Sequence, residues 1–180
     1  MNQSQNANVK HTDVLIIGAG ISGISSAFHL KKHSPKTSFE ILEQRDGIGG
    51  TWNLFKYPGV RSDSDMYTLG FSFRPWKQAK AIADAPAIMD YLKGAVNDGK
   101  IDESIRFGKK VLEAKWSTPE SKWFVTIEDK ATGEQHIQSC KFIHSCAVYY
   151  NYDQGYQPDF EGADTFAGDI VHPQFWPEGL

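Results

Sequence analysis

Cysteine is scarce in this chain: two residues in 180, Cys140 and Cys146. They lie six apart with no metal-ligand spacing around them, which excludes a disulfide framework and a thiolate zinc site. They read as two reduced, packed thiols of a cytoplasmic protein. Long apolar runs are also missing. None approaches the roughly 20 residues needed to cross a bilayer, so no transmembrane segment is expected. The opening MNQSQNANVKHTD lacks the apolar core of a secretory signal, and residues 1–12 read as a short disordered tail. Charge of one sign is lacking as well. The net charge is -3 and no Lys/Arg run occurs, which argues against a nucleic-acid partner.

What remains suits one globular domain. Val14–Ile17 is an apolar run between Asp13 and Gly18, the pattern of a strand buried on both faces. Ile21, Ile24, Ala27, Phe28 and Leu30 recur at helical spacing up to about Lys32, and Ser34-Pro35 stops the helix. A second strand through Phe39 and Ile41 ends at Glu43. From Gln44 to about Ala83 no period persists, and so long an irregular stretch points to function. Asp84 can cap a helix from Ala85, with Ile88, Tyr91, Leu92 and Val96 on one face. Short strands are expected at 105–107 and 111–116, then one through Trp123, Val125 and Ile127, a turn at DKATGEQ, and a strand at Ile137. These form a small antiparallel meander. The run CKFIHSCAV reads as a separate strand returning to the main sheet.

The strongest local signal is VLIIGAGISGISSAFHLKKHSPKTSFEILE. Gly18, Gly20 and Gly23 make G-x-G-x-x-G between a strand and a helix. The first glycine allows the tight turn, the second lets backbone approach a pyrophosphate, and the third lets helix pack on strand. The free N–H groups of the helix start face the phosphates. The competing reading is a glycine-rich turn without a ligand. Glu43 follows Gly23 by twenty residues, where a carboxylate accepts hydrogen bonds from ribose hydroxyls. An acid there disfavours a 2′-phosphate, so the expected dinucleotide is NAD or FAD. The next segment, RDGIGGTWNLFKYPGVRSDSDMYTLGFSF, is an aromatic, glycine-rich loop where nicotinamide dehydrogenases continue into a helix. Such a loop suits an extended cofactor with an isoalloxazine ring; a surface loop with incidental aromatics is the plainer alternative.

Gly49, Gly50, Trp52, Tyr57, Pro58, Gly59 and Asp63 follow the spacing G-G-x-W-x-x-x-x-Y-P-G-x-x-x-D. Phe166, Gly168, His172, Trp176 and Pro177 follow F-x-G-x-x-x-H-x-x-x-W-P. With the dinucleotide motif, these resemble the fingerprints of the Baeyer–Villiger-type flavin-containing monooxygenases (class B flavoprotein monooxygenases), in that family's order. YPGVRSDSDMYTLGF and YYNYDQGY are similar to its mycobacterial members. The resemblance implies an α/β fold: a Rossmann-like FAD-binding domain of parallel sheet, helices and small antiparallel meander, incomplete here. It implies FAD and NADPH as cofactors, and insertion of one oxygen of O₂ into a ketone, or onto sulfur or nitrogen, via a C4a-peroxyflavin. Small-molecule substrates (a ketone, thioether or thioamide) and O₂ are the partners implied.

By the same resemblance, Gly18, Gly20, Ile21, Ser22 and Gly23 hold the FAD pyrophosphate and Glu43 the adenosine ribose. Gly50, Thr51, Trp52, Asn53 and Leu54 line the flavin, and Val111 meets the adenine. Arg61, Ser62 and Asp63 stand where the nicotinamide cofactor approaches. Asp63, the one catalytic candidate, orients an arginine in the family. His172 is expected to shape a domain junction rather than to transfer protons.

The family's FAD domain is split by an inserted NADPH domain. The resemblance therefore divides this chain into a tail (1–12), the N-terminal part of a FAD-binding domain (13–150) and a linker (151–180). The NADPH site is largely absent, a C-terminal half is missing, and activity of the chain alone is not expected. Ala147-Val148 stands where relatives carry Ser-Gly, so either the backbone differs there or FAD contact suffers. Two other readings stay open. One is a non-catalytic gene remnant or flavin-binding module completed by another polypeptide. The other is an N/S-oxygenating flavin monooxygenase on the same fold.

Overall fold

The computed structural model describes residues 9–180. Of the expected tail, residues 1–8 lie outside the described residues. Lys10–Thr12 are not tail: they open the first strand. The elements are β1 (Lys10–Ile17), α1 (Ile21–His33), β2 (Phe39–Leu42), α2 (Thr51–Leu54), α3 (Met66–Leu69), α4 (Ala85–Gly99), β3 (Ile105–Arg106), β4 (Lys109–Ser117), β5 (Lys122–Asp129) and β6 (Gln135–Ser145). They form one sheet in the order β3-β2-β1-β6-β5-β4. The β3-β2-β1-β6 half is parallel and the β6-β5-β4 half antiparallel.

The strands expected at Ile137 and at Cys140 are one. β6 pairs with β5 from Gln135 to Cys140 and with β1 from Gln138 to Ser145. Its middle carries two buried polar residues, Gln138 and Ser139, which mask the apolar run in the sequence. Gln138 Nε2 donates to Thr12 Oγ1 and to Glu40 Oε2, each at 2.8 Å. Glu40 also accepts from Lys10 at 2.6 Å and from Arg106 Nε at 3.2 Å. This polar staple explains why β1 begins four residues before the apolar run: its first residues are held by partners distant in sequence.

β1 is buried on both faces, as its composition predicts. Val14 and Ile16 pack with Ile24 and Ala27 of α1, Ile41 of β2, and Ile88, Leu92 and Ala95 of α4. Leu15 and Leu42 face the other way, onto Val125, Ile127 and Cys140 of the meander. α4 starts where Asp84 Oδ1 accepts from Ala87 N at 3.0 Å, a carboxylate cap that satisfies one of the free N–H groups of the first turn. It ends at Lys100 in the left-handed region, φ 48°.

The aperiodic stretch 44–83 carries its own packing. Met66, Phe71 and Trp76 are buried in the α1/α4 core. Phe71 and Phe73 stack with ring centroids 4.7 Å apart, and Phe73 stacks on Phe28 of α1. The Phe71 N–H donates to the Tyr91 hydroxyl at 2.6 Å. Aromatic burial replaces hydrophobic period here, which is why no period shows. Past Ser145 the chain holds only two three-residue 3-10 turns, Ala163–Thr165 and Pro173–Phe175.

Candidate functional site

The crevice lies beyond the carboxyl ends of the neighbouring parallel strands β1 and β6. Open α/β sheets take ligands outside the carboxyl ends of their strands. Gly18 has φ 102°, and a Cβ there would meet the Cys146 carbonyl oxygen at 3.0 Å. A Cβ on Gly23 would sit 1.9 Å from the Gly18 carbonyl oxygen, so helix and loop can meet only with glycine at that crossing. Gly20 differs. Its φ is -78°, open to any residue, and a Cβ there would find nothing closer than Gly50 Cα at 3.8 Å. Packing does not require glycine at 20, which lines the cavity.

α1 starts at this space with no side-chain cap and no acid in its first turn. Its first N–H groups and the positive end of its dipole are left for an anion. Glu43 is 5% exposed. Its Oε2 accepts from Ala19 N at 2.8 Å and its Oε1 from Arg45 N at 2.9 Å. An ionised carboxylate offers about four lone-pair sites, so Glu43 braces the glycine loop and keeps acceptor capacity.

The cavity is about 230 Å³, below the roughly 300–1,000 Å³ of small-molecule pockets. These residues enclose only part of a long ligand. The lining brings together Gly18, Gly20, Ile21, Ser22, Glu43, Gly50, Thr51, Trp52 and Val111. Gly23 lies beneath, at the helix–loop crossing. Asn53 and Leu54 are outside the lining; Asn53 instead gives its carbonyl to Arg45 Nη2 at 3.2 Å.

Arg61, Ser62 and Asp63 also stand outside the lining. The Ser62 N–H bonds Ala83 O at 2.9 Å, tying the loop to the start of α4. Its buried hydroxyl has no hydrogen-bond partner among the described residues. Asp63 is exposed and forms no ion pair among the described residues.

The candidate site residues leave out one wall, of which the sequence singled out only Ala147-Val148, as a point of FAD contact. Cys146, Ala147, Val148, Tyr150 and Tyr152, which follow β6, line the cavity together with Lys109 and Lys110 of β4. Burial, then the nearby Glu43 charge, pushes the Tyr152 hydroxyl above its ordinary value, against the pull of Arg45. Burial likewise pushes Cys146 up, and Cys140 to about 11; both are free thiols. Among the described residues only Lys100 and Ser121 have positive φ without being glycine, so Ala147-Val148 carries no left-handed strain. His172 Nδ1 accepts from Gln174 N at 3.2 Å. Its ring fills the space where a Gly155 Cβ would stand, 2.5 Å away. Buried Gln174 donates to Asn151 O at 2.8 Å, folding the last segment back toward the crevice. Among the described residues no group of three or more His, Cys, Asp or Glu could hold a metal. No helix of the described residues is long and apolar enough to cross a membrane.

Residues 16–85 match the NAD(P)-binding Rossmann-like domain family. The chain is 57% identical, over 95% of its length, to the FAD-containing monooxygenase EthA of Mycolicibacterium smegmatis, spanning 34% of that protein. It is 50% identical, again over 95%, to the probable FAD-binding monooxygenase AlmA of Acinetobacter baylyi, spanning 34% of it. Oxidized steroid monooxygenase bound to NADP superposes with a TM-score of 0.75 at 29% identity, covering 94% of this chain and 32% of that one. Cyclohexanone monooxygenase from Rhodococcus sp. Phi1 bound to NADP+ gives 0.73 at 29% identity, covering 96% and 32%. The chain thus spans about a third of the length of the curated relatives it matches.

Proposed function

Because the chain is related to the FAD-containing, Baeyer–Villiger-type monooxygenases along about a third of their length, we propose that it supplies the FAD cradle of such an enzyme. The observation that carries this reading is the uncapped start of α1 opening onto a cavity lined by the closely approaching backbones of Gly20 and Gly50. Backbone N–H groups bared at a helix start suit a pyrophosphate.

Gly20, Ile21 and Ser22 hold the pyrophosphate through backbone N–H groups, with Gly18 and Gly23 setting the turn. Glu43 accepts from the adenosine ribose, and Val111 lies against the adenine. Gly50, Thr51 and Trp52 wall the flavin side and exclude water there; Asn53 and Leu54, expected beside them, stand outside the lining. Arg61, Ser62 and Asp63 face the approach of NADPH, and Asp63 is the catalytic candidate, a carboxylate that would fix a cation near the reacting groups. FAD, when bound, supplies the oxygen chemistry, reduced by NADPH and supplied with O₂. The substrates are small ketones, thioethers or thioamides. Residues 13–150 supply most of the cradle, and Tyr152 joins its lining from the segment 151–180 expected as a linker. The setting is cytoplasmic, in keeping with two free thiols.

The test is reconstitution. Purified chain is mixed with excess FAD and passed through a gel-filtration column. Flavin absorbance travelling with the protein near one equivalent is expected. A colourless, folded protein peak sinks the reading.

A further inference from the structure

The wall that follows β6 is fastened at successive points to elements remote in sequence. It starts where Cys146 N donates to Ile17 O at 2.9 Å. Tyr150 packs edge-on against Phe55, ring centroids 5.6 Å apart. Tyr152 lies under the Arg45 guanidinium, 6.0 Å from ring centroid to Cζ. Lys110 Nζ of β4 meets Asp153 Oδ2 at 2.9 Å, and Gln174 holds the Asn151 carbonyl. Ala147, Val148, Tyr150 and Tyr152 line the cavity, so this strap is part of the site.

Its last two fastenings are at one end of the cavity. Arg45 N is bonded to Glu43, Lys109 N donates to Glu43 O at 2.9 Å, and Lys110 precedes Val111. That is the end assigned to adenosine. A dinucleotide lying between Glu43 and Val111 would have Tyr152 over it, with the Lys110–Asp153 pair joining strap to sheet. We propose that residues 146–153 are a clasp over the adenosine end, closed by Lys110–Asp153 and by Tyr152 on Arg45, and that these contacts set how slowly the dinucleotide leaves. The clasp rests on the cradle reading above.

The two carboxylate and ammonium groups are solvent-accessible, with side chains 64% and 33% exposed for Asp153 and Lys110. A pair this open is screened by salt and contributes modestly. The Tyr152 contact is half-buried and less open to screening. Release should therefore depend on salt through Lys110–Asp153 and on ring area through Tyr152.

The experiment measures FAD release from the reconstituted chain, read as the rise of flavin fluorescence after dilution into excess competing apoflavoprotein. Asp153→Asn and Lys110→Gln are each expected to speed release about two- to fivefold at low salt, the range of an exposed ion pair. Both should remove the wild-type salt dependence. Tyr152→Ala is expected to speed release about tenfold or more, and Tyr152→Phe, which keeps the ring, to restore most of it. The swapped pair Lys110→Asp with Asp153→Lys should return release to near wild-type. Asp153 is on an exposed loop, so Asp153→Asn leaves the apo thermal midpoint unchanged. Unaltered release in Asp153→Asn and Tyr152→Ala overturns the clasp while leaving the cradle standing. A swapped pair no better than either single variant also overturns it, because Lys110 would then be acting on the ligand directly. A chain that retains no FAD at all overturns the cradle, and the clasp with it.

Discussion

A methyl group at position 20 meets only Gly50 Cα at 3.8 Å, whereas one at position 23 would stand 1.9 Å from a carbonyl oxygen. Two glycines of one motif thus answer to different causes, and substitution separates them. Gly20→Ala is expected to fold with stability within about 0.5 kcal/mol of wild-type, since its φ of -78° suits alanine. It should weaken FAD binding at least about tenfold by intruding on the pyrophosphate, measured by titration of flavin fluorescence. Gly23→Ala is expected to cost about 3 kcal/mol or more, because the backbone must part to admit the methyl. Urea denaturation of the apo chain checks it. If Gly20→Ala binds FAD like wild-type, the bare backbone at 20 serves no phosphate. The motif was legible in the sequence, but the division of labour within it was not, since it depends on where Gly50 and the Gly18 carbonyl end up.

At the scale of elements, the sheet is held by a polar staple as well as by its apolar faces. Burial works against the charged Glu40 carboxylate. Hydrogen bonds from Lys10 and Gln138, with the charges of Lys10 and Arg106, prevail and hold its pKa below the ordinary 4.5. A carboxylate depressed on folding contributes stability that is complete above its unfolded value and lost as pH falls through the folded one. Stability should therefore be flat above pH 4.5 from this source and decline below it. Asp13, held low by its hydrogen bond from Lys141 and then by Ser38, acts in the same direction. Glu40→Gln is expected to remove part of that acid dependence and to cost about 2 kcal/mol at neutral pH, read from urea midpoints across pH 3–7. An unchanged pH profile would show that Glu40 is not the titrating group. The apolar run and the helical spacings predict α1, β2, α4 and the Val14–Ile17 part of β1, which begins at Lys10. In the sequence β6 reads as two strands because Gln138 and Ser139 interrupt its apolar run, and only their cross-strand partners make burial of such residues tolerable.

For the whole molecule the notable feature is the surface carried by residues 147–180. Tyr149 is 90% exposed, Tyr156 85%, Phe160 65%, Phe166 61% and Phe175 53%. Exposed rings of this size favour association with other apolar surface. The isolated chain is expected to bind a hydrophobic dye and to associate as its concentration rises into the micromolar range, measured by dye fluorescence and light scattering; a dye-silent monomer would contradict this. The FAD-loaded chain, given NADPH, O₂ and a thioether or cyclic ketone, is expected to give no sustained oxygenated product, because these residues offer one dinucleotide cradle and the reaction uses two cofactors. Steady turnover by product chromatography would refute that expectation.

The order of strand, glycine loop, helix and acid is local, so the sequence by itself determined the cradle's parts: hydrogen bonds and φ angles within about thirty residues dictate them. The spacing of Trp52, Pro58 and Asp63, and of His172 and Trp176, likewise placed the chain beside its relatives. Tertiary structure alone decided which residues share the crevice. It drew Thr51 and Trp52 in and left Asn53, Leu54 and Arg61–Asp63 outside, and it carried Tyr152 and Lys110 into the same lining as Glu43 and Val111. Those placements depend on contacts between segments tens of residues apart, and no local propensity encodes a contact whose two halves are distant in the chain.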